Sequence, residues 1–369
     1  MTELGNLDYY EIVFPKLGLE FTVKSEAFTI FGMTVTWYGL IITFGLILAM
    51  IYGFRQMRRV GIDSDRAIDA VIAGIIGGIV GARTYFVIFN WDDYAGDWKS
   101  ILNIRGGGLA IYGGIIGAVL VGGIVAKLRK VRLLPMLDVA CVSFLIGQGI
   151  GRWGNFTNHE AFGANTDSLF GMSSGKIQQW IVNNTAYMEN TLYAQGINLS
   201  ENYPVHPCFL YESVWCLLGF VILAYIFKKK RLFDGQMCLM YICWYGTGRF
   251  FIEGLRTDSL YLGTIRVSQG LALVSAVASL ILLIVIGAKV KRMGSDYHFY
   301  CETAESKQLL AEADAKAAAY EKKRKGDVEL SESDRILDAD QTQDDSDALK
   351  DAEESETDTE SEENKQEDE

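Results

Sequence analysis

The sequence predicts an all-α, polytopic membrane protein of seven transmembrane helices, with its N-terminus outside, its C-terminus in the cytoplasm and a small outer subdomain. Three observations carry that prediction. Seven stretches reach the length and apolarity of a bilayer span, which needs about 20 mostly apolar residues. Lys and Arg gather at every second span end, the bias that sets orientation. The charge is also divided. Of 369 residues half are hydrophobic and the net charge is −12, yet residues 293–369 alone hold 26 acidic against 9 basic residues. The remaining body has 20 acidic and 25 basic residues. An apolar, mildly basic body with an acidic tail excludes a secreted disulfide scaffold, a coiled coil and an ordinary soluble enzyme. No nucleic-acid partner is expected.

Residues 1–36 read as an outer arm that mixes aromatic and acidic residues at the interface. The first span, Trp37–Phe54, begins too far from Met1 for a cleaved signal peptide. The second, Ala67–Phe89, carries Gly74, Gly77, Gly78 and Gly81. An outer loop, Asn90–Arg105, places Trp91 and Trp98 at headgroup level. The third span, Gly107–Ala126, carries Gly113, Gly114 and Gly117, so small residues at this spacing predict close helix packing. The fourth is Leu134–Gly151. Its Gly147-x-Gly149-x-Gly151 lacks the βαβ context of a nucleotide loop.

Asn155–His206 has Lys176 as its only Lys or Arg and is long enough for the outer subdomain. Asn-x-Ser/Thr sequences at Asn183 and Asn198 read as chance. Pro207–Phe227, Gly235–Ile252 and Val267–Ala288 complete the spans. The basic groups stand at Arg55, Arg58 and Arg59; Lys127, Arg129, Lys130 and Arg132; Lys228, Lys229, Lys230 and Arg231; Lys289, Lys291 and Arg292. Domain limits follow: an arm over 1–36, a membrane domain over 37–292 that includes 155–206, and a tail over 293–369. Within the tail, Glu302–Lys325 is Ala-rich and fits a helix. Gly326–Glu369 has the composition of a disordered chain, either simply solvated or docking on a basic partner whose identity is unknown.

The six cysteines lie mostly in apolar runs, with no CxxC and no His at ligand spacing. Neither a disulfide framework nor a metal site is expected, and no cofactor.

Ionisable residues inside spans cost about 2.5–3.5 kcal/mol each on insertion scales, so each needs a partner or a task. Tyr245, Arg249, Glu253 and Arg256 follow at steps of four, four and three residues, which keeps them on one helical stripe. The stripe either holds an internal Arg249–Glu253 pair for packing or faces a ligand. Arg152, Asn155, Asn158 and Glu160 offer a cation, two amides and a carboxylate. The planar fork of Arg152 suits phosphate oxygens, unless it snorkels to the interface. His159 reads as an exposed loop residue. Tyr112, among glycines, is a packing aromatic or a hydroxyl near substrate. Arg83 needs a partner or a lipid headgroup. Tyr38 is an interfacial-belt or a site residue. His206, ahead of Pro207 and Glu212, starts a span for structural or functional reasons. Two cations and several amides in an apolar surrounding suit an anionic headgroup whose acyl chains stay in lipid. That describes a phospholipid-handling membrane protein without naming a reaction. A transporter would show matching halves, and no internal repeat is visible. A non-enzymatic scaffold leaves Arg83, Arg152, Arg249 and Glu253 unexplained.

The strings Gly151-Arg-Trp-Gly-Asn-Phe-x-Asn-x-Glu160-x-x-Gly163, His206-Pro-x-x-x-Tyr-Glu212 and Tyr245-Gly-x-x-Arg-Phe-x-x-Glu-x-x-Arg256 resemble those of the bacterial phosphatidylglycerol–prolipoprotein diacylglyceryl transferases. Trp37-Tyr38-Gly39 and the Gly pair after Tyr112 fit as well, and the resemblance runs from about Phe31 to Ala288. It implies transfer of the diacylglyceryl group of phosphatidylglycerol to the lipobox cysteine of a preprolipoprotein signal peptide. A thioether forms and glycerol phosphate leaves, without a metal, as the first step of lipoprotein maturation. It implies a multi-pass protein of the bacterial plasma membrane with its active site toward the outer leaflet. By the same resemblance Arg152 and Arg249 hold the headgroup, and Asn155, Asn158, Glu160 and Gly163 shape that site. Tyr245, Glu253 and Arg256 orient Arg249 or the thiol. Tyr112 departs from the many members that carry His there. It acts either as a hydrogen-bond donor or phenolate near arginine, or the base lies elsewhere.

Overall fold

The computed structural model of the chain describes residues 3–104, 107–197, 199–257, 261–262 and 265–325. Arg105, Gly106, Asn198 and the segment Gly326–Glu369, which enter the expectations above, lie outside the described residues. Contacts divide the chain into two units, Met1–Lys307 and Gln308–Glu369. In the second unit residues 308–325 are helical.

Each predicted span appears as a helix of the first unit. These are α1 (Trp37–Met57), α2 (Ser64–Phe89), α3 (Ile111–Leu128), α4 (Leu133–Asn158), α6 (Cys208–Lys229), α7 (Gln236–Glu253) and α8 (Val267–Met293). The short α5 (Gly175–Asn183) lies between α4 and α6. Local signals start them: the Thr36 hydroxyl accepts the Gly39 N–H at 3.3 Å, and the Asp63 carboxylate caps α2. Such caps occupy donors that the first turn leaves open. Six of the helices, all but α7 among the long ones, are long and apolar enough to cross a membrane. The polar residues of α7 lower its hydropathy, and they are the ones that build the site. α4 continues past the predicted end at Gly151 to Asn158, so Arg152, Asn155 and Asn158 stand on its last turns.

α2 packs along α3, α1 along α4, α7 along α8, and α4 against α6 and α7. The α2–α3 contact is backbone against backbone. A Cβ on Gly77 would lie 2.7 Å from the Gly117 carbonyl oxygen, so glycine lets the two helices close at this point.

The chain is mostly helical, consistent with the all-α expectation, and short strands stand beside the helices. β1 (Glu11–Phe14) pairs with β2 (Leu19–Thr22), and β5 (Ser173–Ser174) adds to its other edge, giving the order β2-β1-β5. β3 (Glu26–Ile30) and β4 (Met33–Thr36) form a hairpin whose turn residues, Phe31 and Gly32, both have positive φ. β6 (Tyr261–Leu262) pairs with β7 (Ile265–Arg266). The sequence signal was short β-branched and aromatic runs separated by glycine, weak beside the apolar spans. The β1–β5 pairing also ties the first residues to the segment after α4. Ile12 and Phe14 share one buried cluster with Phe162, Met172, Ile177, Ile181, Leu192 and Val205.

His159 fastens this joint. It is buried, contrary to the exposed loop position expected for it. It ends α4 in the left-handed region at φ 55°. Its Nε2 lies 2.9 Å from the Val23 carbonyl oxygen, so Nε2–H donates. Burial lowers its pKa, because the charged ring is poorly solvated there.

Packing also continues beyond the predicted end of the membrane domain at residue 292. After α8 the chain lies across three of the basic connections. The Tyr297 hydroxyl accepts the Asp234 N–H at 2.8 Å, and Asp234 accepts the Tyr300 N–H at 2.7 Å. Arg132 pairs with Glu305 at 2.6 Å, and the Ser306 hydroxyl donates to the Gly61 carbonyl at 2.7 Å. Tyr300 is buried in the cluster that contains Met57, Val60, Val131 and Met237. This strap therefore gathers the α1–α2, α3–α4 and α6–α7 connections at one end of the bundle.

Two predictions follow from these contacts. A chain ending at Met293 loses the strap, whereas one ending at Lys307 keeps it. Thermal unfolding in detergent is expected to give the shorter chain a midpoint several degrees lower than the longer one. Equal midpoints would show that the strap contributes no stability. For His159, the folded pKa is depressed below the unfolded value of about 6.5. Its contribution is thus full above that pH and is lost as pH falls through it. Amide protection factors in β1 and β2, taken relative to intrinsic exchange at each pH, should fall between pH 7 and pH 5 in the wild type and lose that pH step in His159→Gln.

Candidate active site

The site is assembled around one carboxylate. Glu212, on the second turn of α6, is 3% exposed. Its Oε2 pairs with Arg152 Nη2 from α4. Its Oε1 receives Arg249 Nη1 from α7 at 2.5 Å, and Arg256 Nη1 approaches the same oxygen at 3.7 Å. Three helices thereby meet at one anion. Arg249 also reaches Glu253, 2% exposed, through Nη2–Oε2 at 2.6 Å. The expected i,i+4 pair on α7 therefore exists, and it is one arm of a larger network. Arg266 adds a bond from Nη1 to the Glu253 carbonyl oxygen. Three guanidiniums face two buried carboxylates, and a fourth holds the backbone of one of them.

A buried ion pair is retained only where each charge is paired and hydrogen-bonded, because desolvation of either partner costs several kcal/mol. Glu212 is paired with Arg152, Arg249 and Arg256 and hydrogen-bonded by Arg249, and Glu253 is paired with Arg249. The side chains of Arg152 and Arg249 pair with them while remaining 22% and 21% exposed. Each is anchored on one side and accessible on the other.

A second group extends from Arg152. Its Nη1 donates to Asn155 Oδ1 at 3.4 Å. Glu160 Oε1 accepts from Asn155 Nδ2 at 2.9 Å and from Asn158 Nδ2 at 3.3 Å. Glu160 lies between His159 and Ala161, both with positive φ. That left-handed corner is costly for residues with a Cβ, and it turns the chain so that Glu160 faces back onto α4.

Gly163 acts through its backbone. Its N–H donates to the His206 carbonyl at 2.9 Å, and it forms an antiparallel bridge with Arg256. A Cβ there would stand 2.5 Å from the Leu255 carbonyl oxygen and 2.9 Å from the His206 Cβ. The crossing joins the exit of α4, the entry of α6 and the exit of α7, which brings Arg256 within reach of Glu212. His206 Nδ1 lies 3.2 Å from the Tyr211 hydroxyl. Burial lowers its pKa, so the ring is neutral near pH 7.

Tyr245 stands one turn from Arg249, within electrostatic reach of Glu212, Arg152 and Arg249. The Tyr38 ring covers Gly154, where a Cβ would lie 2.7 Å from its Cδ2. Two predicted residues stand apart from the cluster. Arg83 is buried, with Nε on the Ile101 carbonyl at 2.9 Å, Nη1 on those of Gly107 and Gly108 at 2.8 Å, and Nη2 on that of Ser100 at 2.5 Å. Its partner is the loop between α2 and α3. Tyr112 occupies the first turn of α3 with 49% of its surface exposed.

The expectation for Glu212 was a helix start with a structural or a functional reason, and neither Arg266 nor Asp138 was among the expected site residues. Asp138, fully buried on α4, accepts the Gly235 N–H at 2.8 Å and the Cys238 N–H at 3.0 Å. It holds the N-terminus of α7, where a carboxylate is favoured, and so fixes the helix that carries Arg249. For Glu212 and Asp138 the missed signal was the one already used for the arginines, an ionisable residue inside a predicted span, whereas Arg266 stands just ahead of the span that begins at Val267.

Comparison with known proteins places the chain in a family. The family described as prolipoprotein diacylglyceryl transferase matches residues 25–285. Three relatives carry the name phosphatidylglycerol–prolipoprotein diacylglyceryl transferase. That of Finegoldia magna is 40% identical over 258 residues, covering 70% of this chain and 94% of its own length. That of Enterococcus faecalis is 41% identical over 289 residues, covering 78% and 97%. That of Bacillus cereus strain G9842 is 43% identical over 251 residues, covering 68% and 87%. All the polar groups that converge on Glu212 fall within the matched stretch, and the chain belongs to the prolipoprotein diacylglyceryl transferase family.

Proposed function

We propose that the protein transfers the diacylglyceryl group of phosphatidylglycerol to the thiol of the lipobox cysteine in preprolipoprotein signal peptides, the first step of lipoprotein maturation. The observation that carries the site assignment is the pair Arg152 and Arg249, both anchored on Glu212 and both accessible. Two guanidiniums on facing helices suit the non-bridging oxygens of one phosphodiester.

The reaction joins the cysteine sulfur to the primary carbon of the diacylglyceryl group. The bond from that carbon to the phosphate oxygen breaks, and glycerol phosphate leaves with the electron pair. The thiol proton passes to a base. Negative charge grows on the phosphate as the bond breaks, and fixed cations lower the barrier because they need no reorganisation at that moment. Glu212 keeps Arg152 and Arg249 in place, and Glu253 and Arg256 steady Arg249. Asn155, Asn158 and Glu160 form the rim on the Arg152 side, with Gly163 holding the loop that closes it. Tyr245 and Tyr38 line the approach along α7 and α1, and Arg83 shapes the α2–α3 loop ahead of Tyr112.

Tyr112 serves as a hydroxyl donor to the phosphate or thiolate. Glu253 is a poor base, since Arg249 pairs with its carboxylate. Glu160 and His206 are the alternatives. Neutral His206 can accept a proton at physiological pH.

In this reading all seven long helices span the plasma membrane, and the amphipathic, weakly hydrophobic α7 is covered by its neighbours. The Lys/Arg-rich ends lie in the cytoplasm, which puts the N-terminus, the segment 155–206 and the site on the outer-leaflet side. The acidic tail is then cytoplasmic.

One assay tests the assignment: purified protein, phosphatidylglycerol and a lipobox peptide, with thioether product read by mass. Arg152→Lys and Arg249→Lys keep the charge and lose the fork. Each is expected to lower transfer about 100-fold, and wild-type rates in both would end the phosphate-clamp reading. Tyr112→Phe is expected to lower it about 10- to 1,000-fold, with Tyr112→His partly active. Full activity of Tyr112→Phe would make the ring a packing group and take its hydroxyl out of the reaction.

A further inference from the structure

A polar pair that the mechanism does not use lies deeper in the bundle, below the arginines. Gln148 is one turn from Arg152 on α4, toward the middle of the helix. Tyr241 is two turns from Arg249 on α7, with Tyr245 between them. At 1.5 Å per residue these offsets are roughly 6 Å and 12 Å along the helices. Gln148 Nε2 and the Tyr241 hydroxyl are 2.8 Å apart. Tyr241 stacks on Tyr245, with centroids 5.8 Å apart and planes 8° apart, and Phe144 closes its other side at 6.4 Å. The aromatic stack therefore connects the Gln148–Tyr241 pair to the charged cluster.

The other end of the amide is unpartnered. Gln148 Oε1 is buried without a hydrogen-bond partner among the described residues. The oxygen and nitrogen of an amide exchange places by a half-turn, so the bond to Tyr241 can be made from either end. In both orientations one end remains open. A buried amide end without a hydrogen-bond partner is costly in a low-dielectric surrounding, so a ligand group that completes it is favoured there.

We propose that Gln148, oriented by Tyr241, hydrogen-bonds an ester carbonyl of the diacylglyceryl group. This rests on the reading of Arg152 and Arg249 as the phosphate clamp. A phospholipid whose phosphate sits there hangs its glycerol and ester carbonyls toward the bilayer centre, about one helical turn below. Ester carbonyls only accept hydrogen bonds. The amide therefore turns Oε1 to the Tyr241 O–H and presents Nε2–H to the carbonyl. Lipid selection then includes the ester linkage as well as the headgroup. The contact exists before and during bond breaking, so it acts on KM more than on kcat.

The test compares diester phosphatidylglycerol with its dialkyl ether analogue of equal chain length, using the purified full chain and a lipobox peptide. The wild type is expected to favour the diester by roughly five- to tenfold in kcat/KM. In Gln148→Leu the ratio should fall close to one, through a higher KM for the diester and an unchanged rate with the ether. Tyr241→Phe should fall between the two. The proposal is overturned if the wild type does not discriminate, or if Gln148→Leu keeps the wild-type ratio. It is equally overturned if that variant loses both lipids in parallel or changes only the KM for the peptide. No thioether from the wild type and diester lipid would instead remove the transferase reading itself, and this inference with it.

Discussion

A carboxylate buried among helices must be neutralised in place, and Glu212 is neutralised by three arginines from two other helices and the loop after one of them. That constraint organises the site. Arg152 and Arg249 lie far apart in sequence and on different helices, and nothing but a common anion requires them to converge. In an apolar surrounding each charge alone would be expelled toward the interface. Together they form a paired network that leaves one edge of each guanidinium accessible. Preorganised charge of this kind is what a reaction with a departing phosphate needs.

The scaffold serves the same end. Asp138 fixes the start of α7, the backbone crossing at Gly163 fixes its exit, and the strap after α8 ties the opposite end of the bundle. The glycine contact between α2 and α3 packs a separate pair of helices that carries Arg83 and Tyr112. Arg83 places the four donor contacts of its guanidinium on backbone carbonyls of one loop, so the geometry gives it the task of fixing that loop.

Much of this was legible in the sequence, for physical reasons. The apolar spans announce themselves by length and charge alternation, and all seven predicted stretches are helices. The stripe Tyr245, Arg249, Glu253 and Arg256 followed from helical periodicity, and its i,i+4 pair is present. Contacts between distant segments were less legible. The sequence does not state that Arg152 and Arg249 share Glu212, because pairing across helices leaves no local periodic trace. The strands of residues 11–36 are four or five residues long, and one of them depends on a partner at Ser173–Ser174. His159 was misplaced for the same reason. Only its partner at Val23, 136 residues away, draws it inside.

The most direct test of the account is single-turnover transfer by Glu212→Gln, with Glu212→Asp measured beside it. Gln keeps the shape and removes the charge that holds Arg152 and Arg249 together. The account predicts a fall of about 100-fold or more in the chemical step for Glu212→Gln, with part of it restored by Asp, in protein that still purifies as a folded monodisperse species. Wild-type transfer by folded Glu212→Gln would contradict it, since the arginines would then be positioned without their common anion.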